Sequence, residues 1–402
     1  MQNIPSITDF DVRGKRLVVR ADLNVPTEGK RVTDATRISR FAAGMRPLLA
    51  RGARLVILTH FGRPMGDMNP ELSVDKLRPL LAEALGVPVR FSDVSADRAT
   101  RIHAEGLADG EALLCENVRF NTGEEENDPT LAHAFAQLGD IFVNDAFSCA
   151  HRAHASTEGI ARLMPAVAGP LMMEEIAALT EALEAPHGPA VAIVGGAKVS
   201  TKIAVLKNLV TKLDGVIVGG GMANTFLHAA GAPMGRSLHE PDQLDTVAEI
   251  RALADESGCT LYLPREVVCA AEFAPGAAAE TVGADACPAD RLILDAGPGA
   301  VEDFKAVLGR ARTILWNGPL GAFEIRPFDR ATVELARYAA RRTAAGAAVS
   351  VAGGGDTVAA LNHAGVAGDF TYVSSAGGAF LEWIEGRTLP GIAALTRTDQ
   401  AA

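Results

Sequence analysis
The sequence predicts an α/β fold built on parallel sheets and divided into two domains. Three observations carry this. Short apolar runs rich in β-branched residues recur along the chain, each followed by a glycine-rich or polar turn and then a helical period. The runs do not alternate apolar with polar; they suit parallel strands buried on both faces. The 402 residues also exceed the ~250–300 at which a single core stops growing. Alternating strands and helices imply right-handed crossovers between layers.

In chain order, RLVVRADLNVP (16–26) reads as a strand entering a loop, and RLVILTHFGRP (54–64) repeats the pattern. LSVDKLRPLLAEALG (72–86) carries an apolar helical stripe and stops at a glycine. EALLCENVRF (111–120) and DIFVNDAFS (140–148) are the next strands. The segment 169–188 opens at Gly169-Pro170, closes near His187-Gly188 and sets Leu171, Met172, Ile176, Leu179 and Leu183 on one stripe. It reads as a helix bridging two domains, or as an ordinary surface helix inside one. The second half supplies PAVAIVGGAK (189–198), a helix TKIAVLKNLVTKL (201–213), then GVIVGGGMAN (215–224), CTLYLPREVV (259–268), RTILWNGPLG (312–321) and AAVSVAGGGDT (347–357). AEFAPGAAAETVGADACPAD (271–290) reads as an irregular or hairpin excursion.

The 38 Lys+Arg stand against 49 Asp+Glu, a net charge of −11. That balance argues against a general nucleic-acid or membrane-surface binder and leaves room for a local basic pocket. No apolar run reaches the ~18 residues of a membrane span, and MQNIPSITDFDVRGKR lacks the basic start and apolar stretch of a secretory signal. The five scattered cysteines, with no CxxC, fit reduced structural thiols in a cytoplasmic protein.

Ligands of open α/β sheets bind beyond the carboxyl ends of the strands. After the first strand come Arg20, Asp22 and Asn24, with Arg37 past the loop; after the second, His60 and Arg63; after the third, Asn117 and Arg119. After the fourth come Asn144 and Asp145, and then CAHRAHAS with His151, Arg152 and His154. Four consecutive strands thus deliver basic or amide side chains, the material of a pocket for a multiply charged anion with HRAH as one wall. A metal site is the weaker reading of the histidines, because their spacing matches no usual ligand pattern.

Strands of the second half end in glycine: GGAK (195–198), GGG (219–221), NGPLG (317–321), GGGDT (353–357) and SSAGG (374–378). Glycine lets backbone approach phosphate oxygens, and helix starts attract negative charge, so these loops favour a nucleotide-phosphate site. GxxxxGK[ST] is absent, GGGMAN lacks the last glycine of GxGxxG, and no protein-kinase motif set occurs. Lys198 and Lys202 stand four apart around a helix start, a spacing that lets them face one side. Asp356 follows three glycines and suits Mg²⁺ or a helix N-cap, two roles that are compatible. A non-catalytic two-lobed anion binder explains the arginines and not Lys198, Lys202 and Asp356 among glycines. The missing GxGxxG disfavours a nicotinamide-dependent dehydrogenase.

RADLNVP (20–26), THFGRP (59–64), ENVRF (116–120), AHRAHAS (150–156), GGAKVSTKI (195–203), GGGMANTF (219–226), LWNGPLGAFE (315–324), GGGDT (353–357) and SSAGGAFLE (374–382) resemble the motifs of the phosphoglycerate kinase family, in family order. The resemblance implies two Rossmann-like domains across a cleft: 1–168 for the glycerate substrate, 169–188 as interdomain helix, 189–382 for the nucleotide, and a tail 383–402 returning to the first domain. It implies a phosphotransferase with a carboxyl acceptor, moving the acyl phosphate of 1,3-bisphosphoglycerate reversibly to MgADP in glycolysis and gluconeogenesis, as a cytoplasmic monomer with hinge closure. By the family pattern Asp22, Asn24, Arg37, His60, Arg63, Arg119 and Arg152 hold the glycerate. Lys198 and Lys202 meet nucleotide phosphates, Arg37 and Lys198 act on the moving group, and Asn317 and Glu324 lie along the nucleotide. Asp356 holds Mg²⁺, and Gly354, Gly355 and Thr357 the phosphates. Two positions depart from the pattern: Ala376 in Ser374-Ser375-Ala376-Gly377-Gly378, and Thr201 where an acidic residue is common. An Ala376 amide donates there at a negative φ or under mild strain.

Overall fold
The apolar runs become strands because both faces of each are covered. The computed structural model describes residues 4–29 and 31–396, and the chain divides into two units, Met1–Ile176 with Thr388–Ala402, and Ala177–Arg387. The division falls inside the helix Pro170–Leu179. Residues 397–402 of the expected tail lie outside the described residues.

The first unit contains β1 (Arg16–Arg20), a hairpin of β2 (Thr27–Glu28) and β3 (Arg31–Val32), then β4 (Arg54–Leu58), β5 (Val89–Ser92), β6 (Ala112–Cys115), β7 (Ile141–Asn144) and β8 (Ala166–Ala168). Six form one sheet, ordered β5-β6-β4-β1-β7-β8, with every pairing parallel. Leu17 and Val19 of β1 join a core with Phe41, Met45 and Leu48 of the helix Thr36–Ala50, while Val18 is buried outside that cluster. Successive strand residues point to opposite faces, so a strand buried on both sides shows no alternation. The expected helix 72–86 is two 3₁₀ turns, Pro70–Leu72 and Val74–Leu77, and then an α-helix, Arg78–Leu85. Pro79 sits in that helix's first turn, where its missing N–H costs nothing, and Gly86 ends it at φ +74°.

The second unit contains β9 (Ala190–Val194), β10 (Gly215–Val218), β11 (Thr260–Tyr262), β12 (Glu266–Ala270), β13 (Ala279–Gly283), β14 (Leu292–Ala296), β15 (Thr313–Asn317), β16 (Val349–Gly353) and β17 (Tyr372–Ser374). Its main sheet is ordered β11-β10-β9-β15-β16-β17 and is again parallel throughout. CTLYLPREVV is therefore not one strand. Pro264, which has no N–H for a ladder, separates β11 from β12, and β12 enters a separate antiparallel sheet β13-β12-β14. The excursion 271–290 contributes β13 to it.

Candidate functional site
In each main sheet the chain leaves its first strand to one side and later returns to the other. That places a topological switch point between β1 and β7 in the first unit and between β9 and β15 in the second. The four strands picked out in the first half, β6, β4, β1 and β7, are contiguous and parallel. The loops at their carboxyl ends therefore share one sheet edge.

At the end of β1 the Arg20 side chain is buried, 1% exposed. Its Nε donates to Ser156 Oγ at 2.8 Å, one Nη to the Ala21 carbonyl at 2.6 Å, and the other lies 3.2 Å from His60 Nδ1. Asp22 accepts from Arg37 at 2.8 Å and from the Ser148 hydroxyl at 2.5 Å. Arg37 also donates to the Asn24 carbonyl at 3.0 Å, and Asn24 Oδ1 accepts from the Gly62 amide at 3.1 Å. Arg119 donates to the Gly62 carbonyl at 2.8 Å and pairs with Glu125 at 3.1 Å. Asp22, Asn24, Arg37, His60 and Arg119 thus gather in one place. Arg63 and Arg152 are exposed, and among the described residues no hydrogen bond ties their side chains to this group.

Burial works against charge on Asp22, yet Arg37, His60 and the Ser148 hydroxyl hold its carboxyl below the usual value. His60 is pushed down to about 3, first by burial and then by Arg20, against the pull of Asp22. His154 is pushed down to about 4 by burial and the nearby arginines, and it turns inward, 3.8 Å from Glu124. CAHRAHAS therefore presents Arg152 as an exposed cation, while its second histidine is interior and neutral.

Three residues here, Ser148, Ser156 and Glu124, carry no sign of the site in the sequence; Arg20, expected at its strand end, is there and is buried. Glu124 lies in NTGEEENDP, which reads as a solvated acidic run; in the fold it is fully buried and accepts both the amide and the hydroxyl of Ser156, at 3.0 and 2.5 Å.

In the second unit the glycine loops come after the contiguous strands β10, β9, β15, β16 and β17. Lys202 lies at the switch point: its Nζ donates to the Gly195 carbonyl at 2.6 Å and to the Asn317 carbonyl at 3.0 Å. Burial pushes this lysine down to about 8, against the favourable charge of Asp356. Lys198 is exposed, and the 3₁₀ turn Val199–Thr201 separates the two. They are not one α-helical face, as their spacing suggested, but one ammonium in solvent and one turned inward. The Thr201 hydroxyl, where the family commonly has an acidic residue, donates to the Lys198 carbonyl at 2.8 Å.

Asn317 is buried. Its Nδ2 donates to the Gly353 carbonyl at 2.8 Å, and its Oδ1 has no hydrogen-bond partner among the described residues. Thr357 Oγ1 accepts from the Gly318 amide at 2.7 Å. Gly354 sits at φ +97° as N-cap of the helix Gly355–Ala364, and a Cβ on it would stand 2.8 Å from Asn317 Nδ2. That helix has no side-chain cap, so Asp356 is exposed in its first turn and not spent on the N-cap role. Ala376 has no positive φ, and its amide donates to Ser374 Oγ at 3.1 Å; the departure from glycine costs no strain.

A cavity of about 540 Å³, a size suited to small-molecule ligands, is lined by Gly220, Leu238, Leu320, Phe323, Glu324 and Asp356, among others. Glu324 is exposed at its wall. Its loops pack too closely for side chains: a Cβ on Gly195 would stand 1.8 Å from the Pro319 carbonyl oxygen. Gly195→Ala is expected to lower the stability of this unit by about 2 kcal/mol or more, read from Trp fluorescence in urea, since both tryptophans, Trp316 and Trp383, lie in it. An unchanged midpoint would mean the loop relaxes freely. Among the described residues no group of three or more His, Cys, Asp or Glu could hold a metal ion.

The family model for phosphoglycerate kinase matches residues 7–387. A phosphoglycerate kinase of a Jannaschia species is 57% identical over 390 residues, 97% of this chain and 98% of that one. Another, from Methylorubrum populi, is 56% identical over 384 residues, 96% of each. The solved phosphoglycerate kinase of Coxiella burnetii superposes with a TM-score of 0.92 at 42% identity, covering 98% of this chain and 99% of that one. The Pyrococcus horikoshii structure gives 0.78 at 30%, with 98% of each covered.

Proposed function
The chain belongs to the phosphoglycerate kinase family, and on that premise we propose how its residues perform the family's glycolytic reaction. That reaction is the reversible transfer of the acyl phosphate of 1,3-bisphosphoglycerate to ADP, giving 3-phosphoglycerate and ATP. The observation that carries the assignment of roles is the pairing of two switch-point sites of opposite character. One is an arginine-rich group at the end of β1; the other is a set of glycine loops and a helix start at the ends of β9, β15 and β16.

The first unit holds the glycerate through Asp22, Asn24, Arg37, His60, Arg63, Arg119 and Arg152, and the second holds the nucleotide. Lys198, Lys202, Gly354, Gly355 and Thr357 take the phosphates. Asn317, whose buried Oδ1 lacks a protein partner among the described residues, and Glu324 lie along the nucleotide. Attacking ADP oxygen and leaving carboxylate are both anionic already, so no general base is required, in keeping with a neutral His60. The work is positioning and neutralisation in an in-line transfer. Arg37 and Lys198 supply the positive charge on the migrating phosphoryl group, helped by the amides of the helix Gly355–Ala364.

Mg²⁺ fits Asp356: one exposed hard-oxygen carboxylate beside a phosphate-binding helix start suits an ion that takes its other ligands from phosphates and water. When bound, the ion neutralises phosphate charge. The acidic balance of −11 supports a chain without a nucleic-acid or membrane-surface partner, the scattered cysteines support a cytoplasmic one, and membership of the family supports a monomer; among the described residues no helix is long and apolar enough to cross a membrane.

The test is an ATP-forming assay with 1,3-bisphosphoglycerate and ADP, coupled to ATP detection. ATP production is expected, and Asp356→Asn is expected to raise the Mg²⁺ needed for half-maximal rate about tenfold or more, the loss of one charge-assisted contact. No ATP formation would reject the activity. An unchanged Mg²⁺ requirement would remove Asp356 from the metal's ligands.

A further inference from the structure
We infer that Arg20 is a positioning residue that holds His60 in the tautomer with its proton on Nε2, so that the ring offers its substrate a neutral donor. The inference rests on the proposed function, in which His60 meets the glycerate.

The geometry is directional. An arginine carries only donors. With an Arg20 Nη 3.2 Å from His60 Nδ1, that ring nitrogen must supply the lone pair, and in a neutral ring the proton then sits on Nε2. A hydrogen on Nδ1 would point N–H at N–H in a buried site. The guanidinium has little freedom to turn away, because its Nε is held by Ser156 Oγ and its other Nη by the Ala21 carbonyl. Ser156 spends its own proton on Glu124 Oε1 at 2.5 Å, so the lone pair of that hydroxyl is what faces Arg20. Donation runs Ser156 to Glu124, Arg20 to Ser156 and Arg20 to His60, through residues that are 0, 0, 1 and 7% exposed for Glu124, Ser156, Arg20 and His60.

The groups around the ring agree. Arg20 on β1, Arg37 on the helix Thr36–Ala50 and Arg119 after β6 all oppose an imidazolium; Asp22 alone favours one. The remaining neighbour of Nδ1 is the Cys149 sulfur at 3.9 Å, whose thiol burial keeps protonated. A neutral Nε2–H binds an anionic oxygen without titrating in the physiological range.

The experiment is long-range ¹H–¹⁵N spectroscopy of the histidine rings in the full chain, with His60→Gln used to assign the signal. Expected is a bare Nδ1 and a protonated Nε2, unchanged between about pH 5 and 8. A proton on Nδ1, or an imidazolium within that range, overturns the inference. In Arg20→Gln the second tautomer is expected to appear, and the KM for 3-phosphoglycerate to rise roughly threefold to tenfold, the weight of one neutral hydrogen bond, with kcat changed less. A single Nε2–H tautomer persisting in that variant removes Arg20 from the role. Should Arg20→Gln not fold, Arg20→Met, which keeps an extended side chain and removes every donor facing Nδ1, is read by the same criteria. His60→Gln with an unchanged KM for 3-phosphoglycerate would reject the substrate contact itself, whatever the tautomer.

Discussion

Lys198→Ala is expected to lower turnover about 10²–10³-fold while leaving the KM for 3-phosphoglycerate nearly unchanged. The lysine comes after the glycine pair that follows β9 and is exposed, so removing it opens no cavity and strands no buried partner. Its neighbour Lys202 differs: that ammonium holds the Gly195 and Asn317 carbonyls together, and replacing it would mix a structural loss with a chemical one. Lys198 is therefore the cleaner probe of charge delivered to the moving phosphoryl group. A preorganised donor at a developing charge is worth about 3–4 kcal/mol, and a contact made only in the transition state lowers kcat without touching ground-state binding. Steady-state kinetics in the ATP-forming direction, with circular dichroism to confirm the fold, decide it. Turnover within a few-fold of the unaltered chain would take Lys198 out of the reaction.

A second large effect is expected in stability. Asp145, at the end of β7, is 3% exposed, and one oxygen accepts from the amides of Leu171 at 2.7 Å and Met172 at 3.3 Å at the start of the helix Pro170–Leu179. Gly169 makes room for it, since a Cβ there would stand 2.3 Å from that oxygen. Burial pushes the carboxyl up to about 7 despite these two hydrogen bonds. Between the ordinary value of 3.8 and about 7, the folded chain then binds more protons than the unfolded one. Stability falls as pH rises through that window, and the whole penalty is present above it. Asp145→Asn keeps an acceptor for the two amides and cannot ionise. From pH 5 to pH 8 the variant should gain about 2–3 kcal/mol on the unaltered chain, measured by urea unfolding followed by far-ultraviolet circular dichroism. Parallel pH curves would mean that the carboxyl ionises without cost.

The residues that recur after strands were legible one by one: Asp22, Asn24, His60 and Arg119 in the first half, Asn317 and the glycine loops in the second. Their convergence was legible too, because parallel strands with right-handed crossovers put every carboxyl end on one edge. Side-chain direction was not. Lys198 and Lys202 share a four-residue spacing, yet a 3₁₀ turn between them sends one to solvent and one to the switch point. Glu124 looks solvated in sequence and is fully buried.

Local pattern determined the α/β class, the strand ends that bear chemistry and the residues that announce a family, because strand burial, glycine loops and helix starts are written within a few residues of one another. Only the tertiary structure decided which charges survive. Whether Asp22 is held anionic, His60 neutral or Asp145 half-protonated depends on partners and burial supplied from distant parts of the chain, and energies that shift with each neighbouring charge leave no trace in local spacing.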